Sequence, residues 1–178
     1  MRYLLIIFLL SSFFSVRSQD PIGLTYQRNL ECVSLYDYDN LILSNTSYLL
    51  TNEKKSYTLL YGLEIQESLF GQFGGFYVFG FSADCDYKIN TLPVSININT
   101  FLGGGGGASA PDGSGLSYRY AYGLKTHLNQ YFDFLLRYSH YRFPDGEIHG
   151  SQWQAGLSYS IDSIFNRYAR LSKFSNQS

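Results

Sequence analysis

Residues suited to chemistry are concentrated near the carboxyl end of the chain, where His140, Glu147 and Ser151 lie close together in sequence. A serine hydroxyl that attacks an acyl group needs a nearby base, such as histidine, and an acidic group that orients this base. His140 continues the alternating series of Phe134 and Leu136, so we expect its side chain on the outward face of a strand. These residue types allow acyl hydrolysis. The alternative is an aromatic rim in which His140 touches lipid headgroups.

The remaining titratable side chains predict neither a metal site nor a cofactor site. Metal ligands recur at short, characteristic spacings. The three histidines, which are His127, His140 and His149, show no such spacing. Asp84 and Asp86 flank Cys85 in a segment that we expect to be a turn, and a solvated acidic turn explains them better than a cation site.

A run of five glycines occupies positions 103–107. A phosphate-binding loop would continue with Gly-Lys-Ser or Gly-Lys-Thr and then a helix, and neither follows here. We therefore expect a flexible or tightly bent outer loop, in which glycine also lets another backbone approach closely.

The composition indicates a folded domain with many aromatic residues. Aromatic residues make up 18% of the 178 residues, which is too many for a disordered chain. The formal net charge is −1 and no basic stripe is present, so we do not expect nucleic-acid binding.

The amino-terminal segment 1–18 has the features of a cleaved signal peptide. Arg2 precedes an apolar stretch, and Val16 and Ser18 occupy the −3 and −1 positions of a signal-peptidase site. We expect export of the chain and a single mature domain over 19–161.

Apolar and polar residues alternate along most of this domain, as in strands with two different faces. The pattern predicts eight strands of about 10–13 residues, longer than typical soluble strands and close to the length that crosses a membrane. The segments are 22–31, 41–50, 56–68, 73–83, 92–102, 116–128, 131–143 and 151–161. We predict an all-β fold, an eight-stranded antiparallel up-and-down transmembrane barrel. The alternative is a soluble exported barrel that binds an apolar ligand.

The predicted topology separates the two cysteines. With the amino terminus on the periplasmic side, Cys32 falls at the outer end of the barrel and Cys85 at the inner end. The ends of a membrane barrel lie about 25 Å apart, which is too far for a disulfide.

The polar face of the strands predicts a charged interior. Glu64 and Asp133 are expected to pair with Arg119 and Arg137. Further polar candidates are Gln66, Asn97, Asn99 and Lys125. An eight-stranded barrel is only wide enough for side chains to fill it, so we expect a polar network and not a pore.

The segment 154–161 resembles the C-terminal assembly signal of bacterial outer-membrane barrels through Gln154, Gly156, Tyr159 and Ile161. In those proteins the signal usually ends the chain, whereas here the chain continues. The resemblance implies that the barrel assembly machinery recognises this strand.

More widely, 115–161 resembles the last three strands of small OmpA-like and opacity-like barrels of the bacterial outer membrane. The resemblance implies a Gram-negative outer-membrane location and contact with outer-membrane lipid and lipopolysaccharide. It also implies a structural or interaction role in the cell envelope.

The last hairpin is also similar to lipid A deacylase and acyloxyacyl-hydrolase-like barrels. Those proteins carry a histidine, a serine two residues later and an acid on the next strand. His140 matches their histidine, but Arg142 stands where the serine is expected, and Glu147 lies in a loop. A lipid A deacylase-like hydrolase would need the rearranged set His140, Ser151 and Glu147, and it is the alternative function.

The tail 162–178 changes its periodicity. Apolar residues recur at helical spacing, beside the three basic residues Arg167, Arg170 and Lys173. We expect a short C-terminal amphipathic helix on the periplasmic side, which lies on the membrane surface or docks onto an envelope protein complex. A frayed terminus is the alternative.

Overall fold

The computed structural model describes residues 22–33, 41–70, 75–89, 92–107, 110–129 and 131–160. The predicted signal peptide 1–18, Ile161 and the predicted helix in 162–178 lie outside these residues. Within them the chain forms eight strands. The strands are β1 Ile22–Val33, β2 Leu41–Glu53, β3 Tyr57–Phe70, β4 Tyr77–Lys88, β5 Val94–Gly106, β6 Leu116–His127, β7 Phe132–Arg142 and β8 His149–Ser160.

The strands form a closed barrel in which each one pairs antiparallel with the next and β8 pairs with β1. The predicted eight-stranded up-and-down barrel is therefore confirmed. The connections are longer at one end of the barrel than at the other, and we call these the loop end and the turn end. No helix in the described part of the chain is long and apolar enough to cross a bilayer.

The two faces of the strands follow the predicted alternation. Large apolar and aromatic side chains point outward and remain exposed, whereas polar side chains fill the interior. On β6, for example, Tyr120 and Tyr122 are exposed while Arg119 is buried. On β2, whose phase the sequence left open, Tyr48 and Leu50 point outward.

The hydrogen-bond register staggers the strands around the barrel. A row of paired residues begins at Val94 on β5 and passes through β6, β7 and β8. It then continues through β1, β2, β3 and β4. It returns to β5 at Gly104, near the other end of the same strand. Strands staggered in this way tilt by about 35–45° from the barrel axis.

The glycine run belongs mainly to a strand. Residues 103–106 complete β5 and pair with β4, so the prediction of an outer loop was wrong for these positions. The prediction of close backbone approach is confirmed at Gly105, where an added Cβ would lie 2.2 Å from the carbonyl oxygen of Tyr77. The two outcomes have one cause, since glycine satisfies the hydrogen-bond ladder without adding a side chain to a crowded face.

The register also separates the cysteines. Cys85 pairs with Leu59, and its row continues through Asn52 to Ile22 at the beginning of β1. Cys32 lies near the other end of β1, roughly 30 Å further along at about 3.3 Å per residue. No disulfide can span this distance, and Cys85 is a free thiol.

An apolar cluster occupies the interior at the loop end. Its buried side chains are Leu43, Phe76, Val78, Phe101, Tyr141, Phe143 and Ile148, with Ala110 packed against them. Ala110 lies in the loop between β5 and β6, and Phe143 and Ile148 are the first and last residues of the loop between β7 and β8. The cluster therefore closes the interior beneath these loops.

Candidate functional site

The charged interior of the barrel, which we call the lumen network, is arranged in layers. The layer nearest the apolar cluster is built on Glu64 of β3 and Arg119 of β6. Two guanidinium nitrogens of Arg119 donate to the two carboxylate oxygens of Glu64 at 2.7 and 2.9 Å. Arg119 also donates to Asn99 Oδ1 at 2.9 Å, and Gln66 Nε2 donates to Glu64 at 2.8 Å. A bidentate pair with extra hydrogen bonds is the geometry in which buried charges are best compensated.

The middle layer joins β7 to β4. Arg137 Nη1 donates to Asp84 Oδ1 at 2.7 Å, and both side chains are almost fully buried. Arg137 Nη2 lies 3.3 Å from Gln27 Oε1 on β1, and Asn97 Nδ2 donates to Asp84 at 3.2 Å. The layer therefore ties opposite walls of the barrel together.

The layer at the turn end contains a lysine between two carboxylates. Lys125 Nζ donates to Asp86 Oδ2 at 2.7 Å and lies 3.4 Å from Asp133 Oδ2. His127 Nδ1 is 2.7 Å from the other oxygen of Asp133. Asn97 also donates to Asp86.

The structure brings together some of the predicted pairs and not others. Arg119 meets Glu64 as expected, but Arg137 meets Asp84, and Asp133 contacts Lys125 instead. The turn that was expected to hold Asp84 is in fact the inner half of β4. The missed signal was the alternation of 77–88, in which Asp84 continues the phase of the inward residues.

A cavity of about 590 Å³ opens at the turn end, next to the layer of Lys125, Asp86 and Asp133. Its other lining residues are Thr25, Thr51, Glu53, Thr58, Leu60, Lys88, Ser95, His127, Asn129 and Ser160. Because all lining residues except Leu60 have charged or polar side chains, the cavity suits a polar ligand better than an apolar one. In the described part of the chain, no group of three or more His, Cys, Asp or Glu side chains could hold a metal ion.

The outer surface of β6–β8 changes chemistry with height. Nearest the loop end, the paired row contains Tyr118, Arg142 and His149. The next row contains Tyr120, His140 and Ser151, and the row below it Tyr122, Tyr138 and Trp153. Leu124, Leu136 and Ala155 follow below. A polar rim thus gives way to an aromatic band and then to an aliphatic band.

His140 and Ser151 meet directly in this wall. Ser151 Oγ lies 2.5 Å from His140 Nδ1 across the β7–β8 pair. The imidazole stacks on Tyr120 with ring centroids 4.7 Å apart and meets Tyr138 edge to face at 5.1 Å. The histidine is therefore part of an aromatic cluster as well as a hydrogen-bonded pair.

Glu147 does not join this pair. It lies in the loop between β7 and β8, where its backbone nitrogen donates to Pro111 O at 2.9 Å. Between the described residues Glu147 and His140 there is no ion pair or hydrogen bond, while His149 Nδ1 lies 2.9 Å from the carbonyl oxygen of Glu147. Among the residues that the structure describes, the arrangement is a serine–histidine pair without the orienting carboxylate of a triad.

The segment that resembles an assembly signal lies on β8 and seals the barrel against β1. Gln154 points inward and is buried, whereas Tyr159 packs on Phe132 with ring centroids 5.0 Å apart. A Cβ at Gly156 would lie 1.9 Å from Asn29 Oδ1, so β1 approaches closely there.

Several solved structures are similar to this chain, and two of them are described here. The crystal structure of Neisserial surface protein A, NspA, has a TM-score of 0.52 and 9% sequence identity, and it covers 78% of this chain and 96% of NspA. The Yersinia pestis outer membrane protein Ail, determined in a phospholipid bilayer nanodisc, has a TM-score of 0.48 and 15% identity over 79% of this chain and 100% of Ail. No protein-family model and no curated protein matches the sequence. The likeness to NspA supports the barrel fold.

Proposed function

We propose that the chain is an integral β-barrel of the bacterial outer membrane with a structural or interaction role in the envelope, and that it is not a pore. The observation that carries this proposal is the inverted distribution of polarity. Exposed aromatic and aliphatic side chains cover the wall, and polar and ionisable side chains fill most of the inside. Water would penalise such a wall, whereas lipid accommodates it.

The soluble barrel with an apolar ligand is the weaker alternative. A ligand-binding barrel needs an apolar cavity, but the interior here is filled by the lumen network and by the apolar cluster at the loop end. The same packing opposes a pore, because layers of side chains occupy the interior between the loops and the cavity at the turn end.

The proposal extends to location and partners. The exposed side chains of Tyr120 on β6 and Trp153 on β8 lie above mid-height, toward the loop end, and suit the interface between lipid tails and headgroups. Outer-membrane lipid and lipopolysaccharide are the expected contacts of the wall, and the barrel assembly machinery is the expected partner of β8 during insertion. The loops and the tail 162–178 are the proposed surfaces for an envelope protein complex. Export by the signal peptide 1–18 belongs to the same proposal.

Membrane insertion is tested with two separate variants, in each of which one exposed aliphatic residue is replaced by lysine. Ile98 lies in the middle part of β5 and Leu128 in a turn-end connection, and both are more than half exposed. Ile98→Lys should impair folding into phospholipid vesicles by about 2–4 kcal/mol, and Leu128→Lys by about 0–1 kcal/mol. Folding is measured by the shift in gel mobility between unheated and boiled samples.

In water the two lysines would cost the same, so equal effects would contradict the proposal. Purification of the mature chain as a soluble monomer in detergent-free buffer would also contradict it. The vesicles that contain folded protein should show no ion conductance, which separates a filled barrel from a pore.

A lipid hydrolase is the second candidate, and the hydrogen bond between Ser151 and His140 favours it. If Ser151 is a nucleophile activated by His140, Ser151→Ala and His140→Ala should each abolish release of fatty acid from lipopolysaccharide by the reconstituted protein. Ser139→Ala is the matched control, because Ser139 is buried inside the barrel next to His140 in sequence. No fatty-acid release by the unmodified protein would eliminate this candidate.

A further inference from the structure

The loop-end edge of the outer wall carries a cation without a partner. Arg142 is the last residue of β7, and its side chain is exposed on the outward face. Within the described ranges, its guanidinium makes no ion pair and no hydrogen bond. Its paired neighbours across the sheet are Tyr118 on β6 and His149 on β8. We call these three residues the Arg142 row, and its positive charge is open to a ligand from outside the barrel.

The wall below the Arg142 row offers no negative charge. Asp133 is the only acidic residue of β6, β7 and β8, and it is buried inside the barrel. Asp145 and Glu147 lie in the loop beyond the end of β7. Asp145 Oδ2 accepts a hydrogen bond from Ser114 Oγ at 2.8 Å, which ties this carboxylate to the neighbouring loop. An anion that approaches along the wall therefore meets Arg142 before it meets a carboxylate.

Other sectors of the outer wall do not share this property. On β1–β3, Arg28 Nη2 lies 3.8 Å from Glu67 Oε1, so each charge is offset by the other. The outward-facing side chains of β4 and β5 are uncharged. Within the described strands, the uncompensated positive charge of the outer wall is therefore confined to β6–β8.

The chemistry beneath the Arg142 row suits an amphiphile. Tyr120 and His140 lie in the row below it, and the exposed ring of Trp153 and then Leu136 follow further down. An acyl chain can pack along these side chains while its headgroup lies at the Arg142 row. Because its chains hold a lipid at this height, its effective concentration at the Arg142 row exceeds that of a free anion in solution. The arrangement therefore favours an anionic lipid over a free anion.

We propose that the Arg142 row binds the phosphate headgroup of an anionic membrane lipid, whose acyl chain lies along Trp153. The proposal rests on the membrane location proposed above. A guanidinium suits this task because its fork of N–H groups matches two phosphate oxygens at once. The hydroxyl of Tyr118 is the second donor beside it. One arginine at an anionic lipid surface corresponds to about a five-fold preference over a lipid without net charge.

Trp153 is the only tryptophan of the chain and therefore a native probe of the lipid at this site. It lies on the same face of β8 as His149, roughly 13 Å lower at about 3.3 Å per residue. The chain is folded into phosphatidylcholine vesicles that contain either brominated phosphatidylglycerol or brominated phosphatidylcholine, whose acyl-chain bromines quench tryptophan on contact. Quenching should give phosphatidylglycerol about a five-fold higher affinity for the position beside Trp153. Equal affinities would overturn the proposal.

The second experiment removes the charge. Arg142→Gln should lower the affinity ratio from about five to about one, whereas Arg142→Lys keeps the charge without the fork and should give an intermediate ratio. Lys55→Gln is the matched control, because it removes an equal charge from an exposed side chain between β2 and β3, at the turn end. It should leave the ratio unchanged. Equal ratios in Arg142→Gln and Lys55→Gln would assign the preference to the overall charge of the protein and overturn the proposal.

Two further measurements separate a lipid from a free anion, and the lipid site from the membrane location. Sodium phosphate and sodium chloride at equal ionic strength should lower the ratio equally, because both act by screening. A selective loss in phosphate would identify a free anion as the occupant and overturn the proposal. Quenching by neither brominated lipid, with unshifted gel mobility, would argue against insertion. Equal quenching by both lipids would leave the membrane location intact and overturn the lipid site alone.

Discussion

At the scale of single residues, the pair of Glu64 and Arg119 shows how a barrel whose interior is largely polar can be stable. Both groups are buried, and their mutual hydrogen bonds, together with those from Asn99 and Gln66, replace the water they lose. The net contribution of such a pair to the free energy of unfolding is small. The loss when one partner is removed is large, because the other charge stays buried and uncompensated.

Removal of one member of the pair should therefore lower the free energy of unfolding strongly. Glu64→Gln leaves the buried guanidinium of Arg119 without a counter-charge, and we expect a loss of about 3–5 kcal/mol in the free energy of unfolding. This loss is measured by urea unfolding of both proteins in detergent micelles. The matched control is Glu53→Gln, which breaks the more exposed pair with Lys88 and should cost less than about 1 kcal/mol. Similar losses in the two variants would show that the lumen network is not the main polar support of the barrel.

At the scale of elements, β5 shows how glycine lets a strand continue where the backbone of the neighbouring strand leaves no room for a side chain. Gly105 lies where an added Cβ would collide with the backbone of β4, whereas an added Cβ at Gly104 would come no closer than 3.5 Å to any atom. The two positions are adjacent in one strand, so they share secondary structure and differ in the space around them.

We expect Gly105→Ala to destabilise the folded barrel by about 1–3 kcal/mol, because β4 must shift to admit the methyl group. Gly104→Ala should change the free energy of unfolding by less than about 0.5 kcal/mol. Urea titrations of both variants in the same detergent give the comparison. Equal effects would mean that intrinsic strand propensity, and not the approach of β4, sets the requirement for glycine.

At the scale of the whole molecule, the two ends of the barrel differ in chemistry. The loop end is closed by the apolar cluster around Phe76 and Phe143, whereas the turn end opens into a cavity lined by charged and hydroxyl groups. The lumen network lies between them. This order fits a protein whose outward loops and wall make the contacts, because the interior offers no path from one end to the other.

The sequence by itself determined the strand count, the two faces and the filled interior, because a strand has a side-chain period of two wherever it lies. It also placed Arg119 and Glu64 on the inward face, since both fall on the inward phase of long, regular strands. The ends of β4 and β5 could not be predicted correctly from the sequence. Aspartate and glycine are common in turns, and whether they lie in a strand depends on partners across the sheet.

Only the tertiary structure decided which charges meet. Closure and stagger bring Arg137 of β7 to Asp84 of β4, and Lys125 of β6 to Asp86 of β4. Strand periodicity gives the face of each residue, but the height of a residue relative to a distant strand depends on the register around the whole barrel. That register is a property of the closed sheet and is not encoded in any single strand.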